Sequence, residues 1–159
     1  MKTYKITFIL FFVSALAFCN VSNKEKEALV SLYNATQGQS WISSWNLEAP
    51  VNSWSGVTVE DNKVIGLDLS FNNLQGQLPD QIGDLIYLKE LVLFRNKLDG
   101  NIPNSIGNLK ELKVLNLSFN KLEGTLPNSI GNLTSLVTLE AFMNKLEGEI
   151  PSTIGQLGS

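Results

Sequence analysis

The chain has 159 residues, room for about one domain, and its 43% hydrophobic content excludes wholesale disorder. Charged residues are only 17% and the formal net charge is −3, or −5 once Lys2 and Lys5 are discounted as part of a removable leader, so the basic footprint of a nucleic-acid binder is missing. Histidine is absent and Cys19 is the only cysteine, which excludes a His-based triad, a Cys–His dyad, an ordinary zinc site and an internal disulfide; no cofactor is implied.

Residues 1–19 read MKTYKITFILFFVSALAFC. Lys2 and Lys5 precede an apolar run from Ile6 to Phe18, interrupted only by Thr7 and Ser14. That run is shorter than the ~20 residues a spanning helix needs and matches the apolar core of a secretory leader. Ala15-Leu16-Ala17 is a cut site, so residues 1–17 are predicted to be a signal peptide. A lipoprotein-type cut just before Cys19, with acylation of that cysteine, is the alternative; the large Phe18 counts against it.

Residues 22–63 are predicted to form a cap. Ser22-Asn23-Lys24-Glu25 is a capping box opening a helix, with Ala28, Leu29, Leu32 and Tyr33 on one face and Gly38 as its end. Trp41, Trp45 and Trp54 follow, then Val57-Thr58-Val59 and Val64-Ile65 around an Asp61-Asn62 turn, which predicts a hairpin. The tryptophans read as core; a carbohydrate-binding platform is the competing reading.

From Val64 the chain repeats with a period of 24, as copies 64–87, 88–111, 112–135 and 136–159. Leu67, Leu91, Leu115 and Leu139 share a column, as do Asn72, Asn96, Asn120 and Asn144. So do Leu74, Gly76, Pro79, Ile82, Gly83 and their equivalents. Leucines alternating with polar residues predict short strands that stack in parallel ~4.8 Å apart. The Asn column falls at the exit from each strand, where an amide side chain can satisfy turn backbone that burial would orphan. Pro79 and its equivalents stiffen the return leg, while Ile82 and Leu85 with theirs close the convex side. The expected fold is an α/β repeat solenoid: a right-handed coil with a parallel concave sheet and a helix-plus-hairpin N-terminal cap.

The unit L-x-x-L-x-L-S-x-N-x-L-x-G-x-(I/L)-P-x-x-I-G-x-L, clearest from Leu112 to Leu133, resembles the plant-type leucine-rich repeat. That repeat occurs in receptor-kinase ectodomains, polygalacturonase-inhibiting proteins and secreted proteins of some bacteria and protists. The stretch from Glu27 to Trp54-Ser-Gly-Val-Thr resembles the family's N-terminal cap, but Asn52 and Val59 stand where the plant pattern has cysteines. The resemblance therefore implies a cap held by packing alone and favours the bacterial or protist branch. No C-terminal cap is visible after the fourth copy, so further repeats are expected to follow.

Strand residues that do not point inward should line the concave face. Copy one offers Ile65, Gly66, Asp68, Ser70 and Phe71; copy two Lys89, Glu90, Val92, Phe94 and Arg95. Copy three offers Lys113, Val114, Asn116, Ser118 and Phe119; copy four Val137, Thr138, Glu140, Phe142 and Met143. The binding set predicted from these is Asp68, Ser70, Phe71, Glu90, Val92, Phe94, Arg95, Asn116, Phe119, Glu140, Phe142 and Met143. Four aromatics with an arginine and a methionine suit a protein-binding patch. The plainer reading is that Ser-Phe-Asn is a common filling of this repeat. Four strands span only ~15–20 Å, short of a full interface of ~800 Å² per partner.

The leading expectation is a secreted or cell-surface recognition module that binds a protein or peptide, receptor-like in kind. Nucleic acid is not an expected partner, and a membrane is one only through Cys19 or a longer receptor chain. Inhibition of a secreted polysaccharide-degrading enzyme is the alternative that the resemblance implies. Ice binding, also known in the family, would want a flat ladder of identical Thr or Asn, and the exposed columns here are mixed and charged. An enzyme would have to use Asp68, Glu90 and Glu140. Asp68 and Glu140 lie ~14 Å apart, beyond the ~5–9.5 Å of glycoside hydrolysis, and a flat face offers no pocket to tune a carboxyl. Sequons at Asn20, Asn34, Asn116 and Asn132 complete the candidate sites.

Overall fold

The computed structural model describes residues 21–157; the leader, its cut after Ala17 and Cys19 lie outside the described residues. Helix α1 (Asn23–Ala35) opens on Ser22, whose Oγ accepts from the Glu25 amide at 3.2 Å. Glu25 is buried and accepts twice, from Ser22 Oγ at 2.6 Å and from the Val64 amide at 2.9 Å. The capping box thus also ties the helix to the first strand of the solenoid. The helix ends earlier than the predicted Gly38. Thr36 closes it, with both its amide and its Oγ1 donating to the Leu32 carbonyl, and Gln37 takes the left-handed conformation. Gly38 begins a 3₁₀ turn (Gly38–Ser40), and the Tyr33 ring fills the space where a Cβ would stand.

Trp41, Trp45 and Trp54 are buried together with Tyr33, with ring centroids 4.8–5.3 Å apart in the closest pairs. Their indole N–H groups donate to the carbonyls of Thr36, Ser55 and Ala49 at 2.8–3.1 Å. Every polar handle is spent internally, so the tryptophans are core and present no carbohydrate platform. Four interlocked rings close the cap.

The hairpin pairs β1 (Val57–Glu60) with β2 (Lys63–Asp68), and Asp61 and Asn62 both have positive φ, as a two-residue hairpin turn requires. Strand β2 is shared between cap and solenoid. The main sheet continues in parallel through β4 (Glu90–Val92), β6 (Val114–Asn116) and β8 (Thr138–Glu140), in the order β1-β2-β4-β6-β8. It therefore has five strands, one more than the repeat count. Register follows the columns: Leu67, Leu91, Leu115 and Leu139 are partners in turn, and so are Asp68, Val92, Asn116 and Glu140. Two short parallel pairs lie beyond the Asn turns and had no separate sequence signal: β3 (Gln75–Gln77) with β5 (Lys97–Asp99), and β7 (Glu123–Gly124) with β9 (Lys145–Leu146).

The return legs are 3₁₀ turns (Asp80–Asp84, Asn104–Asn108, Asn128–Asn132, Ser152–Gln156), each introduced by the column proline, so α1 is the one α-helix among the described residues. Proline suits that place because its set φ opens a turn and its missing N–H is not needed. Ile82, Leu85, Ile106, Leu109, Ile130 and Leu133 are fully buried behind these turns. Helix α1 takes the matching place in the cap, pinned to the first turn by Lys24–Asp84 at 2.9 Å and by Ser31 to Gln81.

The Asn column stitches the copies together. Asn96 Oδ1 accepts from the Asn72 and Leu74 amides, and its Nδ2 donates to the carbonyls of Leu69 and Leu93. Asn120 and Asn144 repeat the pattern on Leu98 and Leu122. Asn72 accepts from the Ser43 amide at 2.6 Å, which extends the ladder into the cap. Asn120→Ala would orphan the buried Leu98 amide, at about 1–3 kcal/mol, and leave the Leu93 and Leu117 carbonyls with one donor each, from Asn96 and Asn144. A large drop in the urea midpoint, with the far-UV spectrum of the folded protein retained, is the expected outcome.

The glycine column of the return legs serves close approach. A Cβ on Gly107 would stand 2.5 Å from the Ser129 carbonyl oxygen and 2.7 Å from its Cβ, whereas one on Gly155 would meet nothing within 4 Å. Gly107→Ala is expected to cost about 1–3 kcal/mol by overpacking, and Gly155→Ala to fall within about 0.5 kcal/mol of the parent in the same denaturation measurement.

Candidate functional site

The concave face is built where each strand turns outward into the Asn column. The residue just before each Asn has positive φ: Phe71 (55°), Arg95 (53°), Phe119 (57°) and Met143 (55°). Non-glycine residues adopt this left-handed conformation only when their surroundings hold it. The holding groups are the Asn side chain and the ladder bonds into the following copy, such as Phe71 N to Phe94 O at 2.9 Å and Arg95 N to Ser118 O at 3.0 Å. The result is four large side chains presented at the same edge of the face.

Phe71, Phe94, Phe119 and Phe142 form one continuous zigzag. Successive centroids are 5.3 Å apart and the rings meet edge to face at 72°, 74° and 78°. The alternation behind it is written in the sequence as Ser70-Phe71, Phe94-Arg95, Ser118-Phe119 and Phe142-Met143. Odd copies place the ring directly before the Asn, and even copies place it one residue earlier. Rings stacked in a single column at strand spacing would meet face to face; staggering them between two columns produces the favoured edge-to-face contact. The Arg95 guanidinium lies over three rings, 4.8 Å from Phe119, 5.6 Å from Phe71 and 5.7 Å from Phe94.

The predicted set falls on this surface. Asp68, Phe71, Glu90, Arg95, Phe142 and Met143 are exposed, while Ser70, Val92, Phe94, Asn116, Phe119 and Glu140 are half-buried. Two other residues expected to line the face do not: Gly66 is buried against Thr58 of β1, and Ser118 lies buried, its Oγ without a hydrogen-bond partner. The antiparallel strand β1 pairs across the first, and the second lies in the column whose neighbouring positions carry Phe94 and Phe142. At the outer side of the fourth copy, Leu139, Leu146 and Ile154 are half-buried, whereas Leu91, Leu98 and Ile106 are fully buried.

Two of the three candidate carboxylates, Asp68 and Glu140, are hydrogen-bonded to neighbouring groups, while Glu90 is exposed. Asp68 accepts from the Ser70 amide and hydroxyl at 3.0 and 2.6 Å, closing the turn after β2. Asn116 closes the equivalent turn two copies later by accepting from the Ser118 amide, and its Nδ2 donates to Glu140. Asp68 and Glu140 occupy one column on β2 and β8, with two strands between them. Four open recesses of about 290–510 Å³ are lined by none of Asp68, Glu90 and Glu140, and among the described residues no cluster of metal-ligating side chains occurs. Of the sequons, Asn34 and Asn132 are exposed, while Asn116 is half-buried within the sheet; Asn20 lies outside the described residues.

The model of the Leucine Rich Repeat family matches residues 63–85, 87–109 and 111–133. The chain is 32% identical over 87 residues to the leucine-rich repeat protein FLOR 1 of Arabidopsis thaliana, covering 54% of this chain and 27% of that protein. It is 36% identical over 88 residues to the leucine-rich repeat receptor protein kinase EMS1 of the same plant, covering 54% and 7%. Among solved structures, a plant ice-binding protein superposes with a TM-score of 0.78 at 34% identity, covering 87% of this chain and 46% of that one. A chain of the BIR3–SERK2 complex from Arabidopsis thaliana gives 0.70 at 32% identity, covering 82% and 74%. The repeat columns, the cap and these likenesses place the chain in the leucine-rich-repeat family, in its plant-type form. It spans about a quarter or less of the length of the curated relatives it matches.

The zigzag separates two kinds of phenylalanine. Phe94 contacts a ring on each side, whereas Phe142 closes the series with one ring contact and is 53% exposed. Phe94→Ala is expected to lower stability by about 1–3 kcal/mol and Phe142→Ala by less than about 1 kcal/mol, read as the shift in denaturant midpoint.

Proposed function

We propose that the chain is an exported recognition module that captures a protein or peptide on its concave face, in the manner of a receptor ectodomain. The observation that carries this is the aromatic zigzag with Arg95 at its centre. It is a row of rigid apolar side chains, partly exposed and crossed by one cation, the combination that dominates binding energy at protein interfaces. The rings are already ordered by one another, so a partner meets them with little conformational entropy left to lose. The relatives support the same reading: EMS1 is a receptor kinase, and BIR3 and SERK2 are seen in a complex with each other.

Catalysis is not part of the proposal: Asp68 and Glu140 are engaged in a turn and a cross-strand bond, and none of the recesses described above is lined by Asp68, Glu90 or Glu140. Ice binding receives no support from the exposed columns: one runs Asp68, Val92, Asn116, Glu140 and the next Phe71, Arg95, Phe119, Met143. Neither forms a ladder of identical groups. The leader at residues 1–17 is the basis for export, and no helix among the described residues is long and apolar enough to cross a membrane.

Recovery of bound polypeptides from the surface and culture fractions of the native host tests the reading. A Phe94→Ala/Arg95→Ala double variant should lose at least about tenfold in capture of a partner retained by the parent chain, as expected for hot-spot side chains worth about 2 kcal/mol each. Phe142→Ala, which hardly disturbs the fold, should weaken the same capture severalfold. Capture unchanged in both would remove the concave face from the assignment.

A further inference from the structure

At the seam between cap and solenoid, beside the zigzag, lies an open recess of about 290 Å³ lined by Ile42, Phe71, Asn73, Arg95, Asn96 and Lys97. Ile42 is 76% exposed and Phe71 is 56% exposed, so two large apolar groups face water across it. The exposure of Ile42 is built in. Its amide donates to Asn72 O, the next amide donates to Asn72 Oδ1, and Asn73 Nδ2 donates back to Ser40 O, so the segment is clamped at both ends. Asn96 is fully used by the backbone bonds of its ladder position. Asn73 spends its Nδ2 on Ser40 O, and the charged groups left for a ligand are the two cations.

No carboxylate lines this recess, and neither Arg95 nor Lys97 takes part in an ion pair among the described residues. The aromatic zigzag holds the Arg95 guanidinium against its rings, which restricts the side chain and leaves in-plane N–H donors free for a planar, two-oxygen acceptor. Lys97 adds a second positive charge at the same opening, and Ile42 and Phe71 provide apolar walls on either side.

We propose that this recess receives a carboxylate flanked by an apolar side chain on the partner polypeptide: the carboxylate on Arg95 and Lys97, the apolar group between Ile42 and Phe71. The proposal rests on the reading of the neighbouring zigzag as a polypeptide-recognition surface and assigns the chemistry of one segment of that polypeptide. An acidic-apolar segment is thereby selected over a neutral one, and the recess anchors the partner at the cap end of the concave face.

The test needs no identified partner. The whole chain, labelled at isoleucine methyls, is titrated with acetyl-Asp-Leu-Leu-amide, with acetyl-Asn-Leu-Leu-amide, and with inorganic phosphate. The acidic peptide should shift the Ile42 methyl saturably and bind at least about fivefold more tightly than its Asn counterpart. That preference should shrink at about 0.5 M salt, as a partly exposed charge contact requires. Lys97→Gln and Arg95→Gln should each reduce it about threefold or more. Equal affinity of the two peptides, a silent Ile42 methyl, or displacement of the peptide by phosphate at the same concentration would each overturn the proposal. A silent recess alongside partner capture that depends on Phe94 and Arg95 would leave the recognition reading standing. A responsive recess with capture indifferent to the zigzag would do the reverse.

Discussion

The contact on which the rest of the structure depends is the side-chain amide of one copy closing the backbone of its neighbour. Asn96 engages two amides and two carbonyls, and the bonds to Asn72, Leu74 and Leu69 reach back into the previous copy. Backbone at this point is irregular and buried, so without the amide its polar groups would be desolvated with no partner. Only a short side chain with both donor and acceptor can serve both sides of the turn at once, which accounts for the invariance of the column within this chain. Because each Asn stitches two copies, stability accumulates by neighbours: a lost amide loosens one junction and the turns on both sides of it.

The same stitching sets up the surface. Holding the turn in place forces the residue before each Asn into positive φ, a conformation Phe, Arg and Met would otherwise avoid. In return their side chains emerge at constant spacing along the edge of the sheet. The zigzag of phenylalanines follows from that spacing and the 48-residue alternation laid over the 24-residue repeat. Scaffold and candidate site are thus two products of one column: the amide points inward to the backbone, and the side chain before it points outward to the solvent.

The repeating skeleton was legible because each column carries its own physical demand. Leucine alternation, the Asn exit, the proline-led return leg and the capping box each correspond to a feature of the fold. The tryptophans were legible as core because they fall in a segment that has to close an exposed solenoid end. What escaped was information held between copies. Ser118 occupies the same column as Phe94 and Phe142 and is expected on the face with them, yet it is buried, a small residue between two ring-bearing positions of its column. Gly66 was likewise placed on the face because the repeat pattern knows nothing of β1, which pairs across it. The helix end at Thr36 escaped for a local reason: a threonine that hydrogen-bonds the Leu32 carbonyl twice terminates the helix before the glycine is reached, and that glycine is needed instead for the approach of Tyr33.

The zigzag also limits what kind of recognition this face supports. Rings that contact one another edge to face have already gained part of their packing energy, so a partner collects only the remainder from each. Such a row favours a partner laid along it over one inserted between the rings. Its two ends differ: at the far end Met143 and Lys145 stand where the second copy has Arg95 and Lys97, and only the cap side adds the exposed Ile42 and a guanidinium shared by the first three rings. A symmetric row of phenylalanines has no preferred direction for a bound chain. Arg95, the one arginine of the chain, lies toward the cap side and breaks that symmetry, and a polypeptide with a carboxylate on one side of an apolar stretch would be read in a single orientation.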